Sequence, residues 1–478
     1  MVALVAATVA MPQWTFRLDT TFRTAITRQA VNDILVLPTG ELLLSGTIRF
    51  PGDMSNRLLA KVDASGDQVV GYPYGPGGGK ITPWTDRFYI SVGQIVQRVL
   101  PSTGWYDPTY IGLVDGPYIS VPTAGDYHVF PDGRVLLTGS YLLSDSIRGF
   151  EGQYRLVWIS NEGYLDTTRT HRQANGMLWN FTALPDGKFL CSCTCTQYDG
   201  QPVDRLFRIH ADGSLDPTFV SGVNWGNIYA YYALPDGRVY VGGQYKRAAA
   251  PNDTLYLARF MPDGSLDASF DNGNIFRTLP GMTAAPKVLR ITPWLSDRSF
   301  ITGVFQTVNG MPRGGICVLD DMGGLTSDME QCNPGPFSYQ GSTDAAIIEI
   351  IPTPDTTGFY ICGVYNGYTD GTLNDPGQRF VSRLLVSEIS TGATEQEPSG
   401  FSVYPNPATG TVTFTWQQAQ KGHITIRDLA GRTMATWPMN GIQGQQRWDV
   451  RGVAPGTYVV QVLAEGQVLH TERLVVQQ

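Results

Sequence analysis

The chain has 478 residues, with 34 Lys and Arg against 42 Asp and Glu, a formal net charge of −8 and only 16% charged side chains. An acidic balance with pI near 5.2 offers no electrostatic footprint for nucleic acid, and no apolar run approaches the ~18 residues that a membrane-spanning helix needs. Aromatic residues at 11%, with 54 Gly and 31 Pro, suit a turn-rich all-β protein rather than a helical or disordered one.

Residues 1–10, M-V-A-L-V-A-A-T-V-A, are apolar and end in small side chains. They read either as a signal remnant covering 1–13, short and without a basic flank, or as the product of a start site placed too late. Next comes an isolated phrase, L-D-T-T-F at 18–22. From there a second phrase returns about every fifty residues. Its clear copies are F-P-D-G-R-V-L-L-T-G at 130–139, L-P-D-G-K-F-L at 184–190 and L-P-D-G-R-V-Y-V-G-G at 234–243; weaker ones stand at 37–46, 81–93, 291–303 and 351–363. Two copies are followed by A-D-G-S-L-D-P-T-F at 211–219 and P-D-G-S-L-D-A-S-F at 262–270, with relics at 106–110 and 165–168.

A fixed period of this size marks one supersecondary unit that buries its apolar face only by stacking on its neighbours. Gly, Asp and Pro supply tight reversals between alternating β-branched and aromatic runs, so each half-phrase predicts a hairpin. In the fifth copy the reading is a strand over 228–234, a turn at 235–237, strands over 238–242 and 255–261, a turn at 262–264 and a short strand near Leu266. Seven such units predict a seven-bladed β-propeller of four-stranded blades over 14–389. The L-D-x-T/S-F phrase is missing after the seventh repeat, where 379–387 runs into a linker, so the orphan copy at 18–22 is expected to supply the last outer strand and close the ring.

The cysteines are Cys191, Cys193, Cys195, Cys317, Cys332 and Cys362. The first three alternate along one strand, where neighbours at i and i+2 are expected to lie too far apart to bridge. They read as buried small hydrophobes rather than metal ligands, since no C-x-x-C spacing accompanies them. Cys317 with Cys332 is a candidate disulfide.

Residues 390–400, S-T-G-A-T-E-Q-E-P-S-G, are polar and turn-rich and predict a linker. Beyond it, alternating runs over 411–416, 423–427, 447–450, 457–463 and 468–476 predict a small Ig-like β-sandwich over 401–478. Here F-S-V-Y-P-N-P-A at 401–408, I-R-D-L-A-G-R at 426–432 and V-A-P-G-T-Y-V-V-Q-V at 453–462 closely resemble the C-terminal sorting domain (type A, Por-type) of the Bacteroidetes type IX secretion system. The ending 474–478, L-V-V-Q-Q, departs from the basic tail common there. The resemblance implies a sorting signal carried by Tyr404, Pro405, Asn406, Pro407, Asp428, Gly431, Gly456 and Tyr458. It also implies export through the type IX machinery of the outer membrane, followed by release or attachment to surface lipopolysaccharide. The repeats resemble the delta-60 group of secreted bacterial propellers over about 14–390, which implies the fold and no particular reaction.

Five histidines, His128, His171, His210, His423 and His470, are scattered without ligand spacing, and no nucleophile elbow, P-loop or dinucleotide fingerprint occurs. Neither a metal nor a cofactor is expected. Asp132, Asp186, Asp236, Asp212 and Asp263 stand before Gly, where turn geometry explains them. The segments 271–274 (D-N-G-N) and 370–375 (D-G-T-L-N-D) are imperfect calcium loops that read as turns. The second and sixth copies carry I-T-P-W in place of L-P-D-G, putting Trp84 and Trp294 near hairpin tips. They are candidate contacts for a sugar ring or a partner surface, against the alternative that each indole folds back over its blade. The inserts 140–154, 197–204, 245–254 and 365–378 are the other places where binding would live. The expected function is thus binding or scaffolding of a glycan or protein ligand. A polysaccharide-cleaving enzyme, the alternative, would need ionisable groups converging at the channel mouth.

Overall fold

The computed structural model describes residues 13–92, 95–112, 115–116, 119–389, 401–417, 422–428, 432–439, 443–464 and 467–477; residues 1–12, the 390–400 segment and Gly431 lie outside them. The described elements are strands joined by turns, and the chain divides after Ile389 into two compact units.

The first unit is a β-propeller built from antiparallel sheets, each entered by an inner strand: Arg28–Val36, Ile81–Trp84, Ile119–Val129, Leu178–Ala183, Val223–Ala233, Lys287–Leu295 and Ala346–Pro352. Turn chemistry sets each first hairpin. In the fifth repeat, Asp236 Oδ1 accepts from Arg238 N at 3.0 Å, Gly237 adopts φ +86°, and Leu234 exchanges backbone bonds with Arg238 and Gly237. Outward from the hairpin a third strand follows, and the fourth is reduced to a bridge such as Val62↔Gln68 or Phe260↔Leu266. The last sheet differs, because Gln13–Leu18 pairs antiparallel with Asn374–Ile389 from Gln13↔Ile389 to Leu18↔Leu384.

The L-D-x-T/S-F phrase owes its residue types to one arginine on the preceding strand. Asp267 accepts from Arg259 Nε at 2.7 Å and from the amide and hydroxyl of Ser269 at 2.9 and 2.6 Å, while the Phe270 ring lies 4.9 Å from the guanidinium carbon. Arg208 repeats this with Asp216, Thr218 and Phe219, and Arg98 with Asp107, Thr109 and Tyr110. A nearly buried guanidinium is tolerated only when its donors are met, and these neighbours meet them.

Apolar seams join successive sheets. Phe22, Val31, Ile34 and Leu44 pack with Tyr360, Cys362, Phe380 and Val381, so first and last sheets share one core. Each fully buried Phe or Leu in such a seam contributes about 1.5–3 kcal/mol.

Two cysteine expectations are corrected. Cys193 and Cys195 form a disulfide with Cα atoms 5.2 Å apart; Cys193 ends the strand Phe189–Cys193 and the chain bends after it, so the pair is closer than the ~6.6 Å of extended backbone. Cys317 and Cys332 are both free and buried, the former in the core with Phe276 and Phe305, the latter in the core with Phe16 and Tyr368.

The second unit is a two-sheet sandwich. Ser402–Tyr404, Thr411–Gln417 and Gln443–Asp449 form one sheet; Thr433–Met439, Gly422–Asp428, Gly456–Ala464 and Gln467–Val476 form the other. Val412, Phe414 and Trp416 pack with Ile424, Ile426, Val460 and Leu474 between them. Ser402–Tyr404 and Thr433–Met439 were not disclosed by hydrophobic alternation.

Candidate functional site

The inner strands surround a channel with a cavity of about 860 Å³. Six of them carry a β-bulge, where pairing slips between Val31 and Asp33, Ala124 and Tyr127, Leu178 and Asn180, Ile228 and Ala230, Val288 and Arg290, and Ile347 and Glu349. A bulge leaves one residue unpaired and re-aims the next side chain. Asp33, Asn180, Arg290 and Glu349 thereby line the channel together with Lys80 and Asp126.

These charges are arranged in pairs. Lys80 Nζ lies 3.1 Å from Asp126 Oδ1 and also donates to the Tyr127 carbonyl at 3.0 Å. Arg290 Nε lies 3.0 Å from Glu349 Oε2, with the Arg290 side chain 36% exposed to the channel. Asp33 accepts from the amides of Ile34 and Ile81 at 2.7 Å each, and among the described residues no cation is bonded to it. Burial first, and then the charge of Glu349, push its carboxyl up to about 7. Burial also raises Glu349, against the pull of Arg290. The ring therefore joins Lys80 to Asp126 and Arg290 to Glu349, and adds in Asp33 a carboxyl that binds its proton more tightly than usual. Among the described residues no three His, Cys, Asp or Glu side chains come together in a metal-ligating group.

The two predicted contact tryptophans are placed in seams and are not brought together. Trp84 donates Nε1 to the Pro131 carbonyl of the next repeat at 3.1 Å, sits edge-on to Tyr89 and lies 5.1 Å from the Arg98 guanidinium. A Cβ at Gly133 would meet its ring at 2.7 Å. Trp294 stacks on Phe300 with ring centroids 4.8 Å apart and takes Trp14 and Phe16 edge-on at 5.4 and 5.3 Å. Each indole is half-buried and packs both on its own hairpin, through Tyr89 and Phe300, and on the adjoining blade, through Pro131 for Trp84 and Trp14 and Phe16 for Trp294. The turn aspartates Asp132, Asp186, Asp236, Asp212 and Asp263 each accept the amide two residues ahead. In the imperfect calcium loops, Asn274 donates to the Gly323 carbonyl and Asp370 accepts the Leu18 amide.

The ring was missed in the sequence, although a signal exists. Asp33, Asp126 and Asn180 stand five residues before the turn proline, and Lys80, Arg290 and Glu349 three before theirs.

In the second unit Asn406 Nδ2 donates to the Arg473 carbonyl at 2.6 Å and Asn406 Oδ1 accepts from Val475 N at 2.9 Å, pinning the Y-P-N-P segment to the last strand. Tyr404 is half-exposed. Asp428 takes the amide and Nε of Arg432 at 2.9 and 2.7 Å, and the buried Tyr458 donates its hydroxyl to the Ala454 carbonyl at 2.6 Å. Gly456 opens the strand that carries Tyr458.

Residues 402–477 match the family described as the secretion system C-terminal sorting domain, and 184–219 with 234–270 match the domain of unknown function DUF5122, a beta-propeller. No curated protein matches the chain. Among solved structures, PorZ of Porphyromonas gingivalis, described as an essential surface component of the type-IX secretion system, is 13% identical with a TM-score of 0.32; the alignment covers 92% of this chain and 64% of that one. An oligogalacturonate lyase from Vibrio parahaemolyticus is 12% identical with a TM-score of 0.43, covering 78% and 97%. Regucalcin, a calcium-binding protein of Agrobacterium tumefaciens, is 12% identical with a TM-score of 0.32, covering 61% and 86%. The chain carries a β-propeller followed by a secretion system sorting domain, which directs it to the cell surface or to secretion and implies the type IX machinery as a partner. No helix among the described residues is long and apolar enough to cross a membrane.

Proposed function

We propose that the exported propeller is a binding protein, seven-bladed and closed by its N-terminal strand, that takes a polar glycan or protein segment into its channel. The observation that carries this is the ring Asp33, Lys80, Asp126, Asn180, Arg290 and Glu349, all but Lys80 placed by inner-strand bulges, around a cavity of about 860 Å³. A cavity of that size with a few convergent polar groups is the usual anatomy of a ligand site. Fixed cations and carboxylates would read a partner's hydroxyls and charges, and the preformed β scaffold keeps the ordering cost low. Tyr404, Pro405, Asn406, Pro407, Asp428, Gly431, Gly456 and Tyr458 form the sorting signal in this reading, with lipopolysaccharide attachment or release as the final state.

The test is a glycan array and a surface-protein pull-down with the full chain and with Lys80→Met and Glu349→Gln. Ligands lost by both variants support the channel; a ligand set unchanged by either removes it. A second reading, hydrolysis or elimination on a polysaccharide, is favoured by one observation, the neighbouring Asp33 and Glu349 carboxyls with Arg290 beside them. It requires new sugar ends detectable by mass spectrometry and abolished by Glu349→Gln.

A further inference from the structure

We propose that a second cavity beside the channel is a subsite for an anionic oligosaccharide; the inference deepens the glycan reading above and rests on it. This cavity, about 460 Å³, shares Gly125, Asn180 and Tyr229 with the channel, so one ligand can occupy both. Its lining combines the early part of two inner strands, with Trp179 and Asn227, and the adjoining Cys193 and Arg205 at the end of the second strand and the start of the third, away from the Pro-Asp-Gly turns.

Three features converge here. First, aromatic surface is left open. Trp179, which lines the cavity, is the unpaired residue of the bulge between Leu178 and Asn180 and is 40% exposed, and Trp225, next to the lining residue Gly226 but outside the lining, is 50% exposed. An uncovered indole beside a cavity is unlike Trp84 and Trp294, whose rings are engaged in seams, and its flat apolar face matches the C–H face of a pyranose. Second, the fringe is cationic. Arg205 lines the cavity and is anchored by Nη1 to the Gly226 carbonyl at 3.2 Å; Lys287 Nζ lies 5.4 Å from the Tyr229 ring centroid and Lys246 Nζ 5.5 Å from that of Trp225. Among the described residues no Asp or Glu lines this cavity, although the whole chain carries −8. Third, the Cys193–Cys195 disulfide ties the wall at Cys193, and Asn180 Nδ2 is bonded to the Ile228 carbonyl at 2.9 Å, so the site is preformed. Stacking on Trp179 with a carboxylate or sulfate held by Arg205 selects an acidic sugar over a neutral one, because guanidinium binds planar oxyanions through paired donors.

The experiment is calorimetry on the full chain with a mannuronate hexasaccharide, its carboxyl-reduced counterpart and a heparin hexasaccharide, the last two arms separating uncharged from sulfated sugars. Binding of an acidic probe should weaken about tenfold or more on carboxyl reduction, on Trp179→Ala and on Arg205→Met, with Trp179→Phe partly restoring it, as expected for an aromatic anchor and its charge partner. Equal affinity for the reduced probe overturns the anionic preference. Acidic sugars that bind unchanged to Trp179→Ala and Arg205→Met but are lost in Glu349→Gln overturn the subsite and leave the channel standing. Polyglutamate bound as tightly as the sugars reduces the fringe to a charge patch, and no binding of any sugar removes both this subsite and the glycan reading.

Discussion

Asp19 and Arg383 lie 364 positions apart and meet through one carboxylate oxygen, which accepts from Nε at 2.7 Å and lies 2.7 Å from Nη2, itself donating to the Thr21 hydroxyl at 3.1 Å. Thr21 and Phe22 complete the group, the hydroxyl bonding Asp19 at 2.7 Å and the ring lying 5.4 Å from the guanidinium carbon. It is the same arrangement that Arg259 makes with Asp267, Ser269 and Phe270 within one repeat, here divided between the two ends of the propeller chain.

Asp19→Ala should therefore cost about as much as Asp267→Ala. Each leaves a mostly buried arginine short of its partner, a loss of about 2–4 kcal/mol, whereas Asp263→Ala at an exposed turn costs about 1 kcal/mol or less. Burial opposes ionisation of Asp19, yet the bonds from Thr21 and Arg383 outweigh it and hold its carboxyl below the ordinary range. That stability is present above the unfolded value near 3.8 and is lost as pH falls through the folded one, so the gap between wild type and Asp19→Ala should close in acid. Urea unfolding at pH 7 and pH 3 measures both effects.

Asp33 has the opposite sign. Its carboxyl is raised from 3.8 to about 7, so its favourable contribution is complete below about pH 4 and declines as pH rises through 7. Melting temperature should fall over that window for this group, and a carboxyl-carbon NMR titration of Asp33 should show a midpoint near neutrality. In Glu349→Gln the midpoint should move down, because a repelling charge is removed while Arg290 stays. An Asp33 midpoint near 4 in the wild type would show the ring to be more hydrated than its burial implies.

Trp294→Ala should act on stability. Removing an indole that touches Trp14, Phe16 and Phe300 leaves a void in the seam, at a cost of about 2–4 kcal/mol, while any glycan found by the array should bind as before. Trp84→Ala should lose packing and the bond to Pro131, with a similar result. A variant that melts like the wild type but loses ligand would restore these residues to a contact surface.

Asn406→Ala removes both bonds that hold the Y-P-N-P segment to the last strand and should destabilise the sandwich by about 1–3 kcal/mol. The propeller transition in calorimetry should not shift. In a type IX host a chain ending at 389 should remain in the periplasm, and efficient surface delivery without 402–477 would sink the address.

The turns, the strand alternation and the sorting motifs were legible because their chemistry is local: Asp236 and Gly237 make their reversal from their own side chain and backbone, and Phe414 and Ile426 alternate along their own strands. The L-D-x-T/S-F phrase was legible as a pattern, but its reason was not, since the arginine that demands it sits on the preceding strand. Tertiary structure alone decided three matters. The bend after Cys193 brought it within reach of Cys195, which extended geometry forbids. Packing between elements turned Trp84 and Trp294 into seams, whereas Trp179 at a bulge stayed open. The channel ring joins residues as far apart as Asp33 and Glu349, each an ordinary polar residue in its own strand; they meet, and Asp33 acquires its shifted acidity, only because the sheets surround a common channel and exclude most of the water between them.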